Sequence, residues 1–141
     1  MTNKMTERVT SSFESQSMMK TLRARIHKVL KGKVSIEVPL LPSMLQQQGY
    51  AHAGLAFSIG DSAAGYSALT VMPENQEVMT AEIKINLLAP ADGELLRAEG
   101  KVVKNGKRLV IVTSEIYALK NRKKKLIALM QGTMIPVQMK T

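Results

Sequence analysis

The sequence predicts an α+β fold in which one antiparallel sheet wraps a single long apolar helix. Three observations carry that expectation. Residues 53–69 are almost all small or apolar, so a helix there has no polar side to show to water and must be enclosed. From residue 80 onward the chain reads as strands separated by short turns. Connections that short exclude parallel crossovers and leave antiparallel pairing, with helix and sheet as the two layers of the core.

The elements follow in order. Residues 1–10 are expected to be flexible. Ser11 and Glu14 have capping-box spacing, and Met18, Leu22 and Ile26 recur every four positions, so a helix is expected over residues 11–26. Residues 34–38 alternate and stop at Pro39, as a first strand would. Residues 42–51, with Gln46, Gln47, Gln48 and Gly49, read as a loop into the helix of residues 53–69. Residues 80–87 alternate throughout, with Ala81, Ile83, Ile85 and Leu87 on one face and Thr80, Glu82, Lys84 and Asn86 on the other. Residues 90–93 turn the chain into a strand over residues 94–103, and Asn105-Gly106 is a strong hairpin signal. Strands over residues 109–119 and 126–137, joined through residues 121–125, complete one domain covering residues 1–141.

Composition narrows the function. With 45% hydrophobic and 22% charged residues the chain reads as globular. It has no cysteine, which rules out disulfides, a thiolate nucleophile and a cysteine zinc site; two histidines, His27 and His52, are too few for a metal cluster. No metal and no cofactor are therefore expected. The first twenty residues lack the apolar core of a signal peptide, and no run is long enough to span a membrane, so the expected compartment is the cytoplasm. The net charge of +9 calls for an anionic partner. Nucleic acid is disfavoured, because aromatic residues make up only 4% of the chain and the basic residues are scattered, leaving no stacking platform.

Asp61 is the leading candidate for chemistry. It sits inside the small-residue helix, where an unpaired carboxylate costs on the order of several kcal/mol, and such a cost points to use. The alternative is an Asp on a hydrated helix face.

The spacing around Asp61 resembles the PaaI-like branch of hotdog acyl-CoA thioesterases. Gln46 supplies an amide, and six positions on come His52, Ala53 and Gly54. Asp61 lies nine after that His, and Thr80 carries a hydroxyl ten positions before Pro90-Ala91. The family more often carries Asn, Gly and Ser where Gln46, Ala53 and Thr80 stand. The resemblance implies a hotdog fold and thioester hydrolysis. In it the Ala53 amide, at the helix start beside Gly54, stabilises the oxyanion, and Asp61 is general base or nucleophile. Gln46 then orients water or thioester, and Thr80 holds water beside Asp61. His52 is read either as a base or as a residue that orients the loop. The resemblance also places coenzyme A on Glu82 and on the hairpin of Lys104, Asn105, Gly106, Lys107 and Arg108. Phe57, Tyr66, Leu87, Leu88 and a methionine-rich N-terminal lid are expected to line the acyl site and to favour medium or long chains.

Helix geometry adds a constraint. Ala53 and Asp61 are eight positions apart, about 12 Å along the axis, so they cannot touch one carbonyl. The expectation is a two-fold homodimer, or a dimer of dimers, with each active site shared between subunits. The competing reading is a non-catalytic protein that binds acyl-CoA.

Overall fold

The start of the chain departs from expectation. In the computed structural model, which describes residues 3–139, α1 (Lys4–Glu14) begins at Asn3, whose side chain accepts from the Thr6 amide at 2.7 Å. Val9 and Phe13, one turn apart, are both buried, and this apolar pair explains why residues 4–10 are helical rather than loose. Ser11 and Glu14 lie inside α1 and do not cap it. The helix expected over residues 11–26 breaks after Glu14, resumes briefly as α2 (Ser17–Thr21) and gives way at Arg23, which takes a left-handed φ of 58°. Beyond it lies a strand absent from the sequence reading, β1 (Arg25–Leu30). Ile26 and Val29 pack against the core, but as partners of Ile36 and Val34 on β2 (Lys33–Pro39), across a turn at Gly32.

Buried charge ties the edge strand β1 through β2 to the rest of the sheet. Glu37 of β2 is only 4% exposed and receives Arg25 at 2.9 Å and Arg97 at 2.6 Å from the strands on either side. A buried carboxylate without such partners would be strongly destabilising.

The central helix α3 (Ala53–Leu69) has the expected limits. After it come β3 (Gln76–Leu87), β4 (Leu95–Asn105), β5 (Val110–Lys120) and β6 (Lys123–Gln138). All pairings are antiparallel, and the six strands lie in the order β1-β2-β4-β5-β6-β3. This is the hotdog fold, an α+β arrangement with α3 held on the inner face of the sheet. Gly100 lets β4 pass directly beneath α3, since a Cβ there would lie 2.3 Å from the Ala63 carbonyl oxygen. Ser67, buried inside α3, donates to the Ala63 carbonyl at 2.7 Å and accepts from the Val34 amide at 2.9 Å, pinning helix to sheet. The side of α3 left open carries Gly54 and Phe57, then half-buried Ser58, Asp61 and Ser62.

Two turns present charge. Gly106 donates to the Leu109 carbonyl at 2.9 Å, so Lys107 and Arg108 form the tip between β4 and β5, two residues beyond the Asn105-Gly106 signal. Asn121 and Arg122, with φ of 52° and 65°, make the tight turn between β5 and β6, shorter than the expected segment of residues 121–125.

The strand that matters most to the site is β3. Its alternation is interrupted: Thr80 pairs with Met134 and Glu82 with the next residue back, Thr133, which leaves Ala81 as a bulge. Thr80 therefore shares the inner face with Ile83 and Ile85, whereas unbroken alternation had put it on the opposite face.

Candidate active site

The bulge at Ala81 aims Thr80 at α3. Its hydroxyl donates to Oδ1 of Asp61 at 2.8 Å, joining residues 19 positions apart. Burial pushes the Asp61 carboxyl above the usual carboxylate range, and the Thr80 hydrogen bond draws it part of the way back. Asp61 and Thr80 open into a cleft of about 250 Å³ whose other walls include Ser12, Gln16, Tyr66 and Glu77. The Tyr66 hydroxyl accepts from Gln16 Nε2 at 2.6 Å and lies 3.1 Å from Ser12 Oγ. These polar walls replace the methionine lid expected from the sequence: Met18 is 52% exposed and Met19 is buried in the core.

The other expected residues gather at the start of α3. His52 is the N-cap residue: its Nδ1 accepts from the Gly54 amide at 2.8 Å, which fixes the orientation of the imidazole at the helix start. Among the described residues the Ala53 amide meets no acceptor, and it sits at the positive end of a 17-residue helix. Gln46 braces its own loop, its Oε1 accepting from the Gln48 amide at 2.5 Å and the Tyr50 amide at 3.3 Å. Gln46, His52 and Ala53 line a second cleft of about 540 Å³ with Leu87 and Leu88. The two clefts share no residue. One chain thus brings Asp61 to Thr80, and Gln46 to His52 and Ala53, but holds the two groups apart by the eight-residue offset along α3.

The hairpin expected to hold coenzyme A lies at the Asp61 end of the sheet. Thr80, Met134, Val110 and Asn105 form one row across four neighbouring strands, so the hairpin base is about 14 Å from Thr80. One register step away, Glu82, Thr133, Ile111 and Lys104 form the next row on the outer face, with Thr133 donating to Glu82 at 2.7 Å. Lys104, Lys107 and Arg108 are exposed. Of the four acyl-lining candidates, Tyr66 reaches the Asp61 cleft, Leu87 and Leu88 reach the other, and Phe57 lines neither. Ser12 and Gln16 were missed in the sequence; their only signal is a four-residue spacing on a polar helix face.

Comparison with known proteins decides the family. The model of the thioesterase superfamily matches residues 48–125, which include α3, Asp61, Thr80 and the basic hairpin. The chain belongs to the thioesterase superfamily. A candidate esterase of Saccharolobus solfataricus is 30% identical over 102 residues, 72% of each chain. A thioesterase family protein from Silicibacter pomeroyi is 37% identical in its crystal structure and superposes with a TM-score of 0.93 over 96% of this chain and 99% of that one. The PaaI protein of the E. coli phenylacetic acid degradation operon, 21% identical over 94% of this chain and 93% of that one, shares the fold with a TM-score of 0.83. A Bacillus halodurans protein whose crystal structure holds CoA, 19% identical over 99% and 97%, superposes at 0.80.

Proposed function

We propose that this thioesterase hydrolyses acyl-CoA to the free acid and CoA, in active sites shared between two copies of the chain. The observation that carries the reading is the placement of Asp61: a partly buried carboxylate oriented by Thr80, on a helix whose unpaired N-terminal amide, that of Ala53, lies too far away to serve the same carbonyl. Two antiparallel copies of α3 bring Ala53 of one subunit opposite Asp61 of the other. The thioester carbonyl oxygen lies at the Ala53 amide, where the helix terminus favours the negative charge of the tetrahedral intermediate. Asp61 either takes a proton from water as the water adds to the carbonyl carbon, or attacks that carbon to form an anhydride that water then opens. In both routes the C–S bond breaks, CoA leaves as thiolate, and Asp61 must be ionised. Thr80 orients the carboxylate, Gln46 shapes the loop beside the carbonyl, and His52 with Gly54 fixes the helix start.

The edge of the sheet supports pairing of subunits. Among the described residues β3 has no neighbour on its far side, and Met79, Leu87 and Leu88 are more than half exposed along and just beyond it. Unpaired apolar strand edges are rarely left open to water. Such dimers can pair again into a dimer of dimers.

For the CoA moiety we assign its phosphates to Lys104, Lys107 and Arg108, with Asn105 and Gly106 shaping the loop and Glu82 on the adjoining outer row. The Bacillus halodurans protein of the same fold holds CoA, which supports CoA as the ligand class; the choice of these residues rests on their charge and on their place at the Asp61 end of the sheet. Leu87, Leu88, Ala56 and Ile127 in the larger cleft supply the apolar surface that favours a medium or long acyl chain. Because CoA esters are intracellular metabolites, we assign the enzyme to the cytoplasm. No helix among the described residues is long and apolar enough to cross a membrane.

The test is thiol release from acyl-CoA esters of increasing chain length, by wild type and by Asp61→Asn. Turnover that falls by a factor of about a thousand in the variant supports the proposal. Tight acyl-CoA binding with no turnover by wild type would replace it with the non-catalytic reading.

A further inference from the structure

Arg8 makes an unusual set of contacts for a residue near the start of a chain. Its guanidinium donates to the carbonyls of Leu69 at 3.1 Å, Met72 at 3.0 Å and Pro73 at 2.8 Å, and also to that of Gln76. These carbonyls belong to the last residue of α3, the connection after it and the first residue of β3, the two elements that carry Asp61 and Thr80. A planar, always-charged fork suits several carbonyls at the negative end of a helix; a lysine ammonium cannot reproduce that geometry.

Arg8, Ser12 and Gln16 follow one another at four-residue steps, so they form one stripe along α1 and its end. The second and third members meet the Tyr66 hydroxyl and wall the Asp61 cleft. Phe13, on the adjoining stripe, packs edge-on against the Tyr66 ring with centroids 6.2 Å apart. We propose that Arg8 is a positioning residue for the active site: it latches α1 to the junction of α3 and β3, so that Ser12, Gln16 and Tyr66 close the cleft beside Asp61. The inference deepens the reading of Asp61 given above and rests on it.

The wall restricts water at the carboxylate, in keeping with the burial that raises its proton affinity. The titratable and charged groups around the cleft are few. Among the described residues, Glu77 from β3 and Tyr66 from α3 line the cleft beside Asp61, Met134 of β6 lies against Thr80, and Arg8 on α1 holds the junction behind them. Arg8→Lys keeps the positive charge and removes only the planar fork, so its effect on Asp61 comes through hydration of the cleft rather than through a missing charge, in keeping with burial and the Thr80 hydrogen bond as the causes of the Asp61 shift.

The test uses Arg8→Lys, with Arg8→Ala as the harsher variant, in the full-length protein. Titration of the Asp61 carboxyl by ¹³C NMR without substrate is expected to show its midpoint moving to lower pH in both. kcat/KM for an acyl-CoA ester should fall about tenfold or more, with the acidic limb of its pH profile moving the same way. An Arg8→Lys protein that melts at lower temperature but keeps the wild-type Asp61 titration and pH profile would reduce Arg8 to a structural staple and overturn the proposal. Because the titration needs no substrate, it reads the latch even if no thioester proves to be hydrolysed.

Discussion

Gly100→Ala and Gly65→Ala are the same chemical change on the two sides of one interface, and the structure predicts opposite results. A Cβ at Gly100 would lie 2.3 Å from the Ala63 carbonyl oxygen, 2.4 Å from its carbon and 2.7 Å from the Ala64 nitrogen. All three are backbone atoms of α3, so no side chain can swing aside, and the helix itself must retreat by about 1 Å to restore a normal contact. Overpacking of this kind costs about 1–3 kcal/mol or more, which for a chain of this size lowers Tm by about 4–12 °C. Ala63 is two residues from Asp61, so the retreat also draws the carboxylate off Thr80, and kcat should fall more than KM rises. At Gly65, by contrast, a Cβ would meet only the side chain of Met134, at 3.9 Å. Alanine there is an ordinary contact in a helix interior and should stabilise by about 0.5–1 kcal/mol. Thermal melts of both variants, followed by thiol-release kinetics, provide the assay. A Gly100→Ala protein that melts with wild type, or a Gly65→Ala protein that falls below it, would refute the packing argument.

Other expectations follow from the same geometry. Thr80→Val removes the hydrogen bond that lowers the Asp61 pKa, so the acidic limb of the kcat/KM profile should move to higher pH, the direction opposite to that of the Arg8 variants; an unmoved limb would contradict the role given to Asp61. Because the folded-state pKa of Asp61 is raised, the stability associated with its protonated form is present at low pH and lost as pH rises through that pKa. Asp61→Asn should therefore raise Tm at neutral pH while abolishing turnover, and a lower Tm in that variant would count against the burial argument. Neutralising Lys107 and Arg108 together should raise KM at least tenfold with kcat nearly unchanged, and the effect should shrink at high salt; a flat KM with collapsed turnover would remove the hairpin from the CoA site.

How much of this was legible beforehand depended on whether local pattern and tertiary packing agreed. The limits of α3 were readable because small residues on every side leave enclosure as the only solution, and Asp61 stood out against them. β1 was not, because Ile26 falls four residues after Leu22 and fits a helix as well as a strand; only its pairing with Ile36 decides. The bulge at Ala81 was invisible for a related reason. The alternation from Thr80 to Leu87 has no fault, so nothing local shows that Thr80 has changed faces. Motif spacing placed Thr80 beside Asp61, but unbroken alternation would have put it on the wrong side of the sheet. The wall of Arg8, Ser12 and Gln16 had no local signature beyond its four-residue spacing, since its partners lie fifty or more residues away.

The central claim is that each active site takes Asp61 from one subunit and the Gln46–Ala53 region from the other. Mixing Asp61→Asn chains with chains damaged at Gln46 and His52, each inactive alone, tests it directly after subunit exchange. Random pairing makes about half of the dimers mixed, and each mixed dimer holds one intact site of two, so about a quarter of wild-type activity should return. A mixture that exchanges subunits fully and stays inactive would contradict the claim, because a site contained within one chain cannot be restored by its partner.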